Sequence, residues 1–206
     1  VVVISDPPDA VLEPWRRAGF ACVSAPANAA GLQLLRGRAG PVAFAYACPP
    51  SADISIAGAR WFKRKRARDP LFQTRAVDHV KEVHGLFEGW GCPFAIESPA
   101  AGLLRSLWRR PDFVFNPCDY GGYLDPSDAH PLFPHIVPAQ DAFHRATGLW
   151  VGGGFRMPPR LPVPAVWKYF VDKRGRTRRM NPVLYCRKGG RAARSSAARG
   201  FCRAMY

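Results

Sequence analysis

Between Phe72 and Trp90 the apolar side chains Ala76, Val80, Val83 and Phe87 recur at steps of four, three and four, the period that lines up one face of an α-helix. Gly91-Cys92-Pro93 stops that helix, and Phe94-Ala95-Ile96 follows as a short, wholly apolar run ending at Glu97. Such a run suits a strand covered on both faces. A long amphipathic helix delivered into a buried strand is half of a strand-helix-strand unit, which confines the chain to α/β architectures.

The amino-terminal part repeats the pattern. Val1-Val2-Val3-Ile4 is a β-branched run closed by Ser5-Asp6-Pro7-Pro8, and Val11 to Gly19 then reads as a helix ended by glycine. Phe20 to Val23 is expected as a second strand and Pro41 to Tyr46 as a third. Alternation of this kind predicts a Rossmann-like, doubly wound parallel sheet, whose ligands sit beyond the carboxyl ends of the strands. Asp6, Pro49 to Ser51, and Glu97 to Pro99 should therefore meet in one crevice.

At 206 residues the chain is expected to be a single domain. Residues 1–110 would form the core of sheet and helices, and residues 111–206 a loop-rich basic part. From Pro111 to Pro164 proline and glycine are dense, and Phe113-Val114-Phe115 and Gly148-Leu149-Trp150-Val151 are the strand candidates there. Lys168 to Arg203 is strongly basic, and no internal repeat is present.

The charge balance narrows the partner. Thirty Lys and Arg against fifteen Asp and Glu give a net charge of +15, which draws polyanions and releases their counterions. No apolar run approaches the roughly 20 residues of a membrane-spanning helix, so nucleic acid is expected and a membrane is not. The six cysteines show neither C-x-x-C spacing nor a secretory signal, which disfavours a disulfide framework or a zinc knuckle. His130, His135 and His144, near Asp125 and Asp141, match no closed zinc pattern, and no metal is expected.

The segment Gly58 to Arg68 interleaves Trp61 and Phe62 with Arg60, Lys63, Arg64, Lys65, Arg66 and Arg68. The cations suit phosphate contacts, and the aromatics either stack on bases or, as the residues alone favour for Trp61, anchor the segment in the core. Glu97 likewise carries two readings. A carboxyl in a partly buried cleft can donate a proton to a ring nitrogen, or a carboxylate can cap a helix starting near Ala100.

Cys48-Pro49-Pro50-Ser51-Ala52-Asp53-Ile54-Ser55-Ile56-Ala57-Gly58-Ala59-Arg60-Trp61-Phe62 resembles the P-P-C-T-x-L-x-x-S-G-A-R-W-F segment of phage-type DNA cytosine-5 methyltransferases. Ile96-Glu97-Ser98-Pro99 is similar to that family's I-E-N-P element, and Trp108 to Asp112, Tyr120 to Leu124, His130 to Leu132, Thr147 to Trp150 and Gly189 to Phe201 continue the likeness in order. The collinear stretch covers about residues 42 to 206. The resemblance implies an S-adenosylmethionine-dependent methyltransferase fold that flips a cytosine out of double-stranded DNA. It implies that Glu97 protonates N3 of that base, and that Ser51 stands where the family has the cysteine that attacks C6.

An alcohol needs a neighbouring base to act as a thiolate does. Cys48, three residues earlier across two prolines, is the substitute candidate. Relatives carry a glycine-containing turn after the first strand, where this chain has Ser5-Asp6-Pro7-Pro8-Asp9, so cofactor contacts are expected from Asp6, Pro7, Asp9 and Pro49. DNA contacts are expected from Arg60, Lys63, Arg64, Lys65, Arg109, Arg110, Arg191 and Arg194. The implied protein is a monomer, encoded by a phage or prophage and acting in the bacterial cytoplasm on cytosine or an already modified pyrimidine. The alternative is an inactive relative that binds DNA or partners an active enzyme.

Overall fold

The computed structural model describes residues 1–5, 9–38, 40–183 and 190–206, with the backbone alone for residues 9, 10, 190, 191 and 194. The chain divides into two compact units, one made of residues 1–114 and 146–157, the other of residues 115–145 and 158–206.

The first unit is built on β1 (Val2–Ile4), β2 (Val23–Ala25), β3 (Ala45–Ala47), β4 (Phe94–Pro99) and β6 (Thr147–Gly152), with β5 (Phe113–Phe115) at the edge where the chain passes on. The sheet order is β2-β1-β3-β4-β6-β5. The first four strands pair in parallel, and β6 runs antiparallel to β4. The sheet is thus mostly parallel and mixed rather than wholly parallel, an α/β arrangement compatible with a Rossmann-like fold.

Helices cover both faces. α2 (Ala29–Arg36) and α4 (Phe72–Trp90) share a core with Val2, Ile4, Ala45, Ala47, Phe94 and Ile96. Val80, Val83 and Phe87 of α4 are fully buried there, each stabilising the fold by roughly 1.5–3 kcal/mol through burial. The helix ends as expected, with Gly91 in the left-handed region at φ 65°. α1 (Asp9–Arg17) lies on the opposite face, where Trp15 stacks on Phe44 with ring centroids 5.2 Å apart.

Several elements differ from the sequence reading: α1 starts at Asp9 and stops at Arg17, and the third strand is only Ala45–Ala47, not Pro41 to Tyr46. The second strand begins at Val23 rather than Phe20, because Phe20 turns back to close α1. Its N–H donates to the carbonyl of Trp15, and its ring meets the Trp15 indole edge-on. β4 continues three residues past Ile96, because β6 supplies antiparallel partners as far as Pro99, opposite Thr147. α2 was not anticipated. Its signals are Asn28, whose side chain accepts from the N–H of Gly31 as a cap, and the buried pair Leu32 and Leu35.

In the second unit, Phe115 stacks on Phe201 at 4.2 Å and Tyr120 meets the same ring edge-on. β7 (Lys168–Val171) and β8 (Thr177–Met180) form an antiparallel hairpin, and α6 (Gly190–Ser195) and α7 (Arg199–Ala204) end the chain. Arg199, part of the basic carboxyl-terminal run, is buried. Its guanidinium holds Asp141 at 2.8 Å and Asp128 at 3.0 Å, and its N–H donates to Asp141 at 2.7 Å. No helix among the described residues is long and apolar enough to cross a membrane.

Candidate functional site

The chain winds outward from β1 in both directions, to β2 on one side and to β3 and β4 on the other. The carboxyl ends of β1 and β3 flank that reversal, the place where open α/β sheets take their ligands. Two expected participants stand there. The N–H of Cys48 donates to the carbonyl of Ile4 at 2.8 Å, tying the Pro-Pro loop to the end of β1. The carbonyl of Ile54 accepts from Leu103 at 2.7 Å, and Ser55 bridges to Gly102, tying the same loop to the turn after β4.

The loop also closes on itself. The carbonyl of Ser51 accepts from the N–H groups of Ile54 and Ser55 at 3.2 and 2.8 Å. A Cβ on Gly58 would fall 1.9 Å from the carbonyl oxygen of Ala52, so only glycine lets the following helix approach the loop this closely. Pro49 is buried, Pro50 exposed, and Cys48 and Ser51 half-buried. The Cys48 thiol is not in a disulfide. Among the described residues the Ser51 hydroxyl has no hydrogen-bond partner.

Glu97 occupies a position the sequence did not anticipate, inside β4 rather than at its tip. Ile96 pairs with Ala47, the last residue of β3, so Glu97 lies one residue beyond the parallel ladder while remaining opposite Leu149 of β6. Its half-buried carboxylate thus stands beside the β3 end. Oε2 accepts a hydrogen bond from the hydroxyl of Tyr46, a residue wholly buried in β3. Tyr46 was missed because it reads as one more apolar strand residue. Strand alternation could have found it, since Tyr46 is level with Ala95, two residues before Glu97 and on the same face. The capping role for Glu97 is overturned: the next helix, α5 (Leu104–Leu107), starts four residues after Ala100 with Leu103 at its cap.

No family model and no curated protein matches this chain.

The basic segment after the loop folds as a 3₁₀ turn over Ile56–Trp61 followed by α3 (Phe62–Arg68). Phe62 packs edge-on against Phe72, whereas Trp61 is 48% exposed with the Arg60 guanidinium 5.2 Å from its ring centre. Trp61 is therefore not a core residue. The 3₁₀ turn puts successive residues on different sides, and Phe62 takes the inward one. Arg60, Lys63 and Arg64 are exposed. Lys65 pairs instead with Asp53 of the Pro-Pro loop, a half-exposed ion pair of about 0–1 kcal/mol.

Arg109 lies 4.9 Å from the Trp108 ring centre, with Nη1 2.8 Å from both carboxylate oxygens of Asp112. Asp112 also accepts from the N–H of Val151 at 2.9 Å. Arg109 therefore braces the turn before β5, while Arg110 is exposed. Asp6 and Pro7 lie outside the described residues, and so do the side chains of Asp9, Arg191 and Arg194.

A cleft of about 350 Å³ opens at the carboxyl ends of β2 and β3, with Ala27, Asn28, Ala29, Pro50, Asp53 and His79 among its lining residues. Its size is at the lower end of small-molecule sites. His79 contributes a buried Nε2 without a hydrogen-bond partner among the described residues. Burial holds the His79 imidazole below its ordinary pKa, against the opposing charge of Glu82, so it faces the cleft neutral near pH 7. Among the described residues no cluster of three or more His, Cys, Asp or Glu side chains is placed to hold a metal ion.

Proposed function

We propose that this chain is a base-flipping DNA-modifying protein of the cytosine-5 methyltransferase type, acting on cytosine or an already modified pyrimidine in double-stranded DNA. The observation that carries this reading is the pairing of Tyr46 with Glu97 beside a Pro-Pro loop fastened to the carboxyl ends of β1 and β4. Tyr46 anchors one carboxylate oxygen, which fixes the Glu97 side chain so that it can meet the Watson–Crick edge of an extruded base at N3. Pro50 and Ser51 would line the face of that base. Trp61, Arg60, Lys63 and Arg64 suit contacts with the DNA backbone near the opened pair, and Arg110, Arg191 and Arg194 would add to the grip.

S-adenosylmethionine is the cofactor we propose for the cleft that Asn28, Pro50 and Asp53 line. Asp6, Pro7, Asp9 and Pro49 are the further candidate contacts, and the bound cofactor would supply the methyl group for C5. Ser51 supports a second reading. An alcohol to which no described base is hydrogen-bonded is a poor substitute for a thiolate, which favours an inactive relative that holds a flipped base without modifying it.

Calorimetric titration with S-adenosylmethionine, together with mass spectrometry of nucleosides from incubated duplex DNA, separates the two. Cofactor binding with a mass change on unmodified or 5-modified DNA establishes the enzyme. DNA binding without either outcome establishes the silent relative, and the absence of DNA binding overturns both.

A further inference from the structure

The hairpin of β7 and β8 is unusual in what it leaves uncovered. All its residues from Lys168 to Arg179 except Asp172 are exposed, including Tyr169 at 68%, Phe170 at 45% and Val171 at 67%. A two-stranded ribbon with both faces in water is marginal by itself, and apolar side chains displayed this way mark an interaction site. The same ribbon carries Lys168, Lys173, Arg174, Arg176, Arg178 and Arg179 against one acid, Asp172.

That acid organises the tip rather than neutralising it. The Asp172 carboxylate accepts from the backbone N–H groups of Arg174 and Arg176 at 2.9 and 3.0 Å and from Nε of Arg178 at 3.0 Å. Gly175 takes the left-handed conformation that the turn needs, at φ 73°. Lys173 and Arg174 are thereby held at the apex, pointing to solvent. At the root, the Trp167 ring stacks with His144 at 5.3 Å and carries the Arg179 guanidinium 4.6 Å from its centre. The ribbon is braced at both ends and bare between them.

We infer that the 168–180 hairpin is a sequence-reading ribbon that enters the major groove of duplex DNA. This rests on the DNA reading above and adds the element that would choose the target. The major groove of B-form DNA, about 12 Å wide and 8.5 Å deep, admits a two-stranded ribbon, and four-residue strands reach roughly 13 Å. Lys173 and Arg174 suit the phosphates that border the groove or guanine O6 and N7. Tyr169 and Val171, which share one face of the ribbon, suit the thymine methyl group, which lies in the major groove. Duplex RNA is disfavoured because its major groove is too narrow for side chains to read.

The test uses the full chain and duplex DNA, with affinity measured by fluorescence anisotropy over a salt series and groove contacts by dimethyl sulfate footprinting. Wild type should protect guanine N7, in the major groove, more than adenine N3, in the minor groove. The Lys173→Ala/Arg174→Ala variant should bind roughly tenfold more weakly at moderate salt and lose about 2 from the slope of log K against log salt. Tyr169→Ala should keep that slope while losing the preference for thymine over uracil, which lacks the methyl group, in otherwise matched duplexes. These side chains are exposed, so circular dichroism should be unchanged in both variants.

Wild-type binding with unaltered affinity and footprint in both variants overturns the ribbon while leaving the DNA reading intact, and no duplex binding by wild type overturns both. Tighter binding to duplex RNA than to DNA, or altered sedimentation of the free chain in the variants, makes the hairpin an RNA contact or a self-pairing edge and equally overturns the inference.

Discussion

The hydroxyl of Tyr46, buried in β3, donates to the carboxylate of Glu97 in β4, one residue past the end of the parallel ladder that joins the two strands. Tyr46→Phe keeps the ring and removes only that donor, so it should cost about 1 kcal/mol of stability. On the proposed function, removing this hydrogen bond to Glu97 should lower base modification by about 10–100-fold, the scale of a misplaced reacting group. Turnover on duplex DNA measured by nucleoside mass spectrometry, beside a thermal melt, checks both. Equal loss of stability and activity would make Tyr46 merely structural.

Ser51→Cys places a thiol in the loop that Cys48 ties to the end of β1 and that Ile54 and Ser55 tie to the turn after β4. The expected outcome is cytosine methylation that requires S-adenosylmethionine, together with a covalent protein–DNA complex that survives denaturing electrophoresis when the substrate carries 5-fluorocytosine. If neither product forms, the deficiency extends from the nucleophile to the cofactor cleft.

Gly58→Ala would place a methyl group 1.9 Å from the carbonyl oxygen of Ala52. Backbone, not a pliable side chain, is in the way, so the loop must open. A loss of about 1–3 kcal/mol is expected in urea denaturation, the range of overpacking in tight sites. Gly85→Ala, with nothing within 4 Å of the new carbon, should be tolerated and serves as the control.

Asp141→Ala strands the buried Arg199 charge, whose remaining partners among the described residues are Asp128 and one carbonyl. The expected destabilisation is about 3–5 kcal/mol, read from the denaturation midpoint of the chain. Replacing both residues by apolar ones should recover much of it.

His130 is buried, and its Nδ1 accepts from the N–H groups of Leu132 and Phe133, both at 3.2 Å. Burial, then the nearby Arg199 charge, holds its pKa below the ordinary value. As pH falls through about 6.5, the ordinary value, the unfolded chain takes up a proton there that the folded chain refuses. Unfolding is then coupled to proton uptake, and stability declines toward acid. His79 and His84 are shifted in the same direction, burial being the leading cause in each. The melting temperature should fall between pH 7 and pH 5, and less steeply in a His130→Gln variant. A curve unaffected by that substitution would assign the pH dependence elsewhere.

Much of this arrangement is legible in the residues because it follows local rules. The period of Ala76 to Phe87 places α4, and the apolar runs at Val1, Phe94, Phe113 and Gly148 give strands close to where they stand. What escapes is decided by partners distant in the chain. Phe20 reads as a strand residue until Trp15 claims it. Glu97 reads as a strand tip until Leu149 arrives across from it. Arg199 belongs to a basic run in sequence, yet two aspartates about sixty and seventy positions earlier draw it inside. Tyr46 looks apolar until the register shows which carboxylate shares its face.

The strand opposite Glu97 is made late. β4 is complete at Pro99, but its antiparallel neighbour β6 begins at Thr147, after the chain has passed through residues 115–145 of the other unit. On the ribosome the Glu97 strand must therefore wait with one edge bare until the intervening segment has emerged. An exposed edge of this kind invites pairing with other chains. A fragment ending at residue 114 would keep that edge permanently, so the first unit cannot be obtained by cutting the gene where its opening segment stops. Joining residues 1–114 directly to 146–157 through a short linker is the genetic design that would yield it whole.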